Sequence, residues 1–154
     1  MSYTGTLAQS PLGGSIAINT ATGTTPTWTV IGEVKDFAWS GRENKTADAT
    51  NLQSTAVEFI ATLPDSGTWE ITTNRVSDDA GQLAVEAAWR ARSTNVQFQL
   101  TYPKAASQTT SGDAYVVKAI VQNASPAPSF KPDAVIDYKF TLKINGLDTF
   151  TAGS

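Results

Sequence analysis

Between Ala134 and Ile144 apolar and polar side chains alternate. Ile136, Tyr138, Phe140, Leu142 and Ile144 fall on one side of an extended chain, and Asp137, Lys139, Thr141 and Lys143 on the other. That period of two is the mark of a strand with one buried and one wetted face. The pattern recurs upstream. Val96, Phe98, Leu100 and Tyr102 alternate with Gln97, Gln99 and Thr101, and Trp69 and Ile71 share one face of Thr68 to Asn74. Less regular strand patterns cover Gly14 to Asn19, Trp28 to Val34, Val57 to Leu63, Tyr115 to Val121 and Leu147 to Phe150. Asp36 to Ser40 continues the Trp28 strand or starts another. Turn signals separate these runs: Pro64-Asp65-Ser66-Gly67 suits a hairpin and Asn145-Gly146 a tight turn. One stretch has helical spacing instead. Ser77 or Asp78 is placed to cap it, Asp78 and Asp79 suit its positive end, and Leu83, Ala84, Ala87, Ala88 and Ala91 form its apolar stripe. The expectation is a mainly β chain: an antiparallel β-sandwich or partly closed barrel of about seven or eight strands, with one α-helix packed on its side.

The length of 154 residues suits a single domain over residues 1–154. Residues 1–13 are small and polar, and read as a flexible N-terminal arm. The chain contains no Cys and no His. Disulfides and thiolate metal sites are excluded, and the commonest general base and metal ligand is missing. A carboxylate pair, Glu58 with Glu70, is conceivable, but an ordinary solvated sheet face explains both residues better. Asp78-Asp79 lacks the ligand ladder of a calcium loop, and no phosphate-cradling or nucleophile-elbow motif occurs. No enzymatic activity, cofactor or metal is expected. Net charge is −3 and the 11 basic residues are scattered, which does not suit a grip on nucleic acid. No apolar run approaches the ~20 residues of a membrane span, and Met1 to Thr6 lacks the features of a secretory signal.

Residues 41–55 stand apart. They hold almost no large apolar side chain, but include Arg42, Glu43, Asn44, Lys45, Asp48, Asn51 and Gln53. Hairpin loops usually run about 2–5 residues, so a polar loop of this length is either mobile or a contact arm for a partner. Trp39 borders it, as a core anchor or an interface residue. Trp28, Trp69 and Trp89 sit at apolar-face positions of expected elements. Exposed aromatic platforms would instead suit a soluble carbohydrate- or ligand-binding β-sandwich module, the alternative reading from a different class.

The order of elements carries a resemblance. A strand W-T-V-I-G-E-V is followed by a polar stretch containing A-D-A-T. Then come S-T-A-V-E-F-I-A-T-L-P-D-S-G-T-W-E-I, one helix, and a final sheet ending F-T-L-K-I-N-G. This resembles the major tail tube proteins of bacteriophages with long non-contractile tails. Trp28 to Ile71 carries most of the similarity, and Phe59 to Gly67 its most telling part. The resemblance implies a structural virion protein whose six-membered rings stack into a hollow tube with a continuous β-barrel as its inner wall. It also implies relatives in contractile-tail inner tubes and the type VI secretion tube. Implied partners are further copies of the chain, a tape-measure protein, and tail terminator and tail-tip proteins. Genomic DNA would pass through to the host without specific binding, with no membrane anchor. Synthesis in the bacterial host cytoplasm and residence in the virion tail follow. In such a tube, the loop with Trp39, Arg42, Glu43, Lys45, Asp48 and Asn51 would reach between stacked rings. Val57–Leu63 and Thr68–Asn74 would be wall strands, with Glu58, Thr62, Glu70 and Thr72 facing the lumen.

Overall fold

A computed structural model describes residues 12–154. Of the expected N-terminal arm, residues 1–11 lie outside the described residues. The described chain runs β1 (Ser15–Asn19), β2 (Trp28–Val30), β3 (Val34–Ser40), β4 (Glu43–Asp48), β5 (Phe59–Asp65), β6 (Thr68–Asn74), α1 (Ala80–Ala91), β7 (Val96–Thr101), β8 (Ala114–Ser125), β9 (Asp137–Ile144) and β10 (Thr149–Thr151). The fold is mainly β with one helix, as the alternation predicts. Eight strands form an open antiparallel sheet in the order β2-β1-β7-β8-β9-β6-β3, with β10 also paired to β8. β8 is long enough to carry two neighbours on the same side. Ala119–Ser125 pairs with β9, and Ala114–Val116 pairs with β10.

Alternation places the core on one face. Ile16 and Ile18, Phe98 and Leu100, Val117 and Val121, Phe140 and Leu142, and Trp69 and Ile71 are all buried there. Burying each such side chain contributes about 1.5–3 kcal/mol. Trp69 sits between Phe37 and Trp39 of β3, edge to face at centroid distances of 5.1 and 5.3 Å. Trp39 is therefore a core anchor. Its indole N–H donates to the carbonyl of Ser66 at 2.6 Å.

The helix differs from expectation in cap and face. Asp79, not Ser77 or Asp78, is the N-cap; its carboxylate accepts from Gln82 N at 2.9 Å and from Gly32 N at 3.1 Å. It thus closes the helix end and ties it to the turn after β2. The inward residues are Gly81, Gln82 and Val85, with Ala84 and Ala88 beside them, while Leu83 points outward and Trp89 is 41% exposed. Close approach sets this rotation: a Cβ on Gly81 would lie 2.5 Å from the carbonyl oxygen of Val30. Gln82 is fully buried and fully used. It accepts from Val76 N and donates to the carbonyls of Gly32 and Asn74.

Tyr138, buried in β9, donates its hydroxyl to Glu86 of α1 at 3.1 Å. Burial, and secondly the Glu86 carboxylate, push its pKa well above the usual tyrosine value. A folded pKa raised above the unfolded one stabilises below about pH 10 and loses that contribution as pH rises further. The steepness with which unfolding free energy falls above pH ~10 should therefore shrink by one proton's worth in Tyr138→Phe. Denaturant titrations of both proteins across that range check this.

The stretch expected as a polar loop, residues 41–55, contains a strand instead: Glu43–Asp48 is β4, paired with β5 and, among the described residues, with no other strand. The β4–β5 pair also continues the β3–β6 pair. Trp39 faces Trp69, Ser40 faces Thr68, and beyond a short break Glu43 faces Asp65 and Asn44 faces Pro64. One long ribbon thus has its inner half in the sheet and its outer half projecting as an arm. The tetrad Pro64 to Gly67 does not fold β5 onto β6; it carries the chain across the break. β4 escapes the alternation test because neither of its faces is buried. Its backbone ladder holds it, and that leaves no trace in side-chain polarity.

Candidate assembly arm and sheet face

The arm is built from a polar strand and an apolar one. Every residue of β4 is exposed, and β5 is exposed up to Pro64. β5 nonetheless carries Phe59, Ile60 and Leu63, 62%, 56% and 77% exposed, with Val57 just before it and Leu52 in the connecting loop also open to solvent. Leaving that much apolar surface in water is costly. The loop between the strands is organised by short polar bonds. Asp48 accepts from Thr50 N, Asn51 accepts from Gln53 N, and Glu58 accepts from Ser54 Oγ. The Thr50 hydrogen bonds hold the Asp48 carboxyl below the usual carboxylate range, and the Glu43 partner raises Lys45.

The arm root is a compact knot. Arg42 Nη2 donates to Asp148 Oδ2 at 3.0 Å, and Ser66 Oγ donates to Asp148 Oδ1 at 3.0 Å. The Asp148 backbone N–H returns a bond to Ser66 Oγ at 3.1 Å. The Arg42 guanidinium lies 5.1 Å from the Trp39 ring centre and 5.7 Å from that of Tyr115, within cation–π reach. Asp65 accepts from Gly67 N at 2.9 Å, and that bond, with smaller help from Lys143 and Lys45, lowers its pKa. Ser66 is legible in the sequence only as part of a turn, and Asp148 not at all. They are 82 residues apart, and Asp148 lies 106 from Arg42, so no local pattern links them.

The six residues assigned to the arm divide into two groups. At its root Trp39 is half-buried and Arg42, itself exposed, reaches in to Asp148, whereas Glu43, Lys45, Asp48 and Asn51 lie exposed along the arm. The four assigned to one wall divide too. Glu70 and Thr72 lie on the solvent side of β6, opposite Thr141 and Lys139 of β9 and opposite Ala38 and Asp36 of β3. Glu58 and Thr62 belong to the arm, so the structure does not bring the four onto one strand pair. The solvent side of the sheet is of mixed sign. Lys118 and Lys139 project from it, Lys35 pairs with Asp137, and Lys143 pairs with Asp65 at 3.7 Å.

Two shallow grooves of ≈370 and ≈360 Å³ flank the exposed Leu147. One is lined by Asn95, Gln97 and Lys118, the other by Glu43, Pro64 and Asp148. The second also holds Arg42, Asp65 and Ser66; its Asp148 carboxylate is engaged by Arg42 and Ser66, and Asp65 by the Gly67 N–H. Among the described residues there is no cluster of three or more potential metal ligands, and no helix is long and apolar enough to cross a membrane.

Three solved structures define the class of fold. A chain of the tail of an empty gene transfer agent particle, refined with six-fold symmetry, matches with a TM-score of 0.68 at 13% identity, over 94% of this chain and 100% of that one. A chain of the SPP1 tail tube matches with a TM-score of 0.65 at 15% identity, over 92% of this chain and 77% of that one. A chain of the extended sheath–tube complex of an extracellular contractile injection system matches with a TM-score of 0.63 at 9% identity, over 90% and 88%. The chain has the fold found in these tail and tube assemblies. No protein-family model matches its sequence, and no curated protein matches it either.

Proposed function

We propose that this chain is a tail tube subunit: a non-enzymatic virion protein that self-associates into rings, which stack into the conduit for DNA delivery. The projecting β4–β5 arm carries this reading. It displays Phe59, Ile60 and Leu63 with no core of its own to cover them. That arm stands on a fold shared with chains of a six-fold symmetric tail and of a tail tube. In this reading the arm reaches the next ring through its apolar side chains and through Glu43, Lys45, Asp48 and Asn51. Glu70 and Thr72 face the lumen from the sheet. A tape-measure protein, terminator and tip proteins complete the tail, and the subunit is made in the host cytoplasm. The four Trp support no flat carbohydrate platform, because Trp69 and Trp39 belong to the aromatic core, Trp28 is half-buried and Trp89 stands alone on the helix.

Electron microscopy of the concentrated protein should show tubes or six-fold rings. Replacing residues 43–65 by a short Gly-Ser link should remove tubes while leaving the buried aromatic near-ultraviolet signal intact. Tubes formed equally well without the arm would overturn its stacking role. A full chain that stays monomeric at high concentration with tail components present would overturn the tube reading.

A further inference from the structure

We propose that the Arg42–Asp148 pair is an orientation lock: it fixes the direction in which the arm leaves the sheet, and hence the angle at which a second copy of this chain is met. The inference rests on the reading of the arm as an assembly element.

The backbone alone gives the arm little directional hold. Strand pairing stops between the Ser40–Thr68 and Glu43–Asp65 positions, and Gly41 and Gly67 within the break have φ values of +77° and +86°. Beyond it, among the described residues, β4 and β5 pair only with each other. A two-stranded ribbon without a packed face is free to swing about such a break. Side chains close the gap. Arg42 comes from one side of the ribbon and Ser66 from the other, and Asp148 receives both, one on each carboxylate oxygen. The Asp148 side chain is 2% exposed and that of Arg42 54%, so the carboxylate is fixed in the body and the guanidinium is the moving half. Trp39 and Tyr115 restrict that guanidinium further by stacking. Removing either charge leaves the ribbon held at this point by Ser66 and by the longer, 3.7 Å Lys143–Asp65 pair. Removing Arg42 also leaves a buried carboxylate without its counter-charge.

The chain has no Cys, so two introduced ones can be labelled cleanly. Spin labels attached after Thr46→Cys on β4 and Thr94→Cys beyond the helix report the arm's position in dilute subunits by pulsed electron resonance. The parent should give one narrow distance distribution. Asp148→Asn and Arg42→Ala should each broaden it roughly two-fold, since charge-assisted pairing is lost while the core persists. Arg42→Lys should fall between them, because it keeps charge but not the planar, stacked, forked geometry. Near-ultraviolet dichroism from the Trp69 cluster verifies folding. Should Arg42→Ala fail to fold, Asp148→Asn and Arg42→Lys decide. A parent distribution already broad, or variants as narrow as the parent, overturns the lock. Because the distance is read without tubes, a locked arm in a chain that never assembles would count against the proposed function alone.

Discussion

Trp69→Ala should cost about 3–5 kcal/mol of unfolding free energy, the range for emptying the site of a fully buried large aromatic. Trp69 is inaccessible to solvent and lies on β6, between β3 and β9 in the sheet. Its ring is the meeting point of Phe37 and Trp39, and Trp39 in turn meets Tyr115 edge to face at 5.3 Å. Truncation therefore leaves a cavity bounded by rigid rings, which collapse poorly. Among the described residues its indole N–H meets no acceptor. The denaturant midpoint should fall with the m-value unchanged, the sign of lost stability rather than altered compactness. Trp89→Ala, at a 41% exposed position on α1, serves as the control and should cost less than about 1 kcal/mol. Similar costs for the two substitutions would mean that β6 is not the centre of the core.

What the sequence revealed tracks what burial enforces. Thr68–Asn74, Val96–Thr101 and Asp137–Ile144 each have one face on the core, and there the period of two reads out strand and orientation together. The helix was legible from its spacing, but its rotation was not. Leu83 is the largest residue of the expected stripe, yet it faces water, because Gly81 brings the helix backbone against β2 and Gln82 takes the inner position with three hydrogen bonds. A buried glutamine looks like a surface glutamine until its partners are known. The arm was misread for the reverse reason. β4 obeys the ladder of β5 while both its faces stay wet, so its six residues carry no periodic signal and resemble a loop. Arg42 showed its charge but not its partner, since Asp148 arrives from the far end of the chain. The resemblance in element order reached the fold where local patterns could not. The tail and tube chains share the fold over nine-tenths or more of this chain, at identities from 9 to 15%.

Gly67→Ala should do more damage than its single added methyl suggests, because the arm's departure depends on that residue. Gly67 has φ +86°, and a Cβ there would lie 2.1 Å from the Ser40 carbonyl oxygen and 3.0 Å from the Arg42 amide nitrogen, both backbone atoms. Left-handed strain in a non-glycine residue costs about 1–3 kcal/mol. The overlap adds to this, because relief requires the two sides of the ribbon to separate where they cross from sheet to arm. Gly41→Ala faces the strain without the collision, its nearest neighbour being Gly67 Cα at 3.6 Å, and Gly23→Ala meets nothing within 4 Å at an ordinary φ. The expected order of destabilisation is Gly67→Ala at more than about 2 kcal/mol, Gly41→Ala near 1, and Gly23→Ala within about 0.5. Thermal unfolding of the three variants checks the order. Electron microscopy under conditions where the parent assembles checks the consequence: tubes lost in Gly67→Ala and retained in Gly23→Ala. Separating Ser40 from Gly67 also pulls Arg42 away from Ser66 and Asp148, so the same substitution should broaden the arm-to-body distance distribution as Asp148→Asn does. A Gly67→Ala protein that unfolds at the parent temperature and still forms tubes would show that the ribbon does not bend at this point.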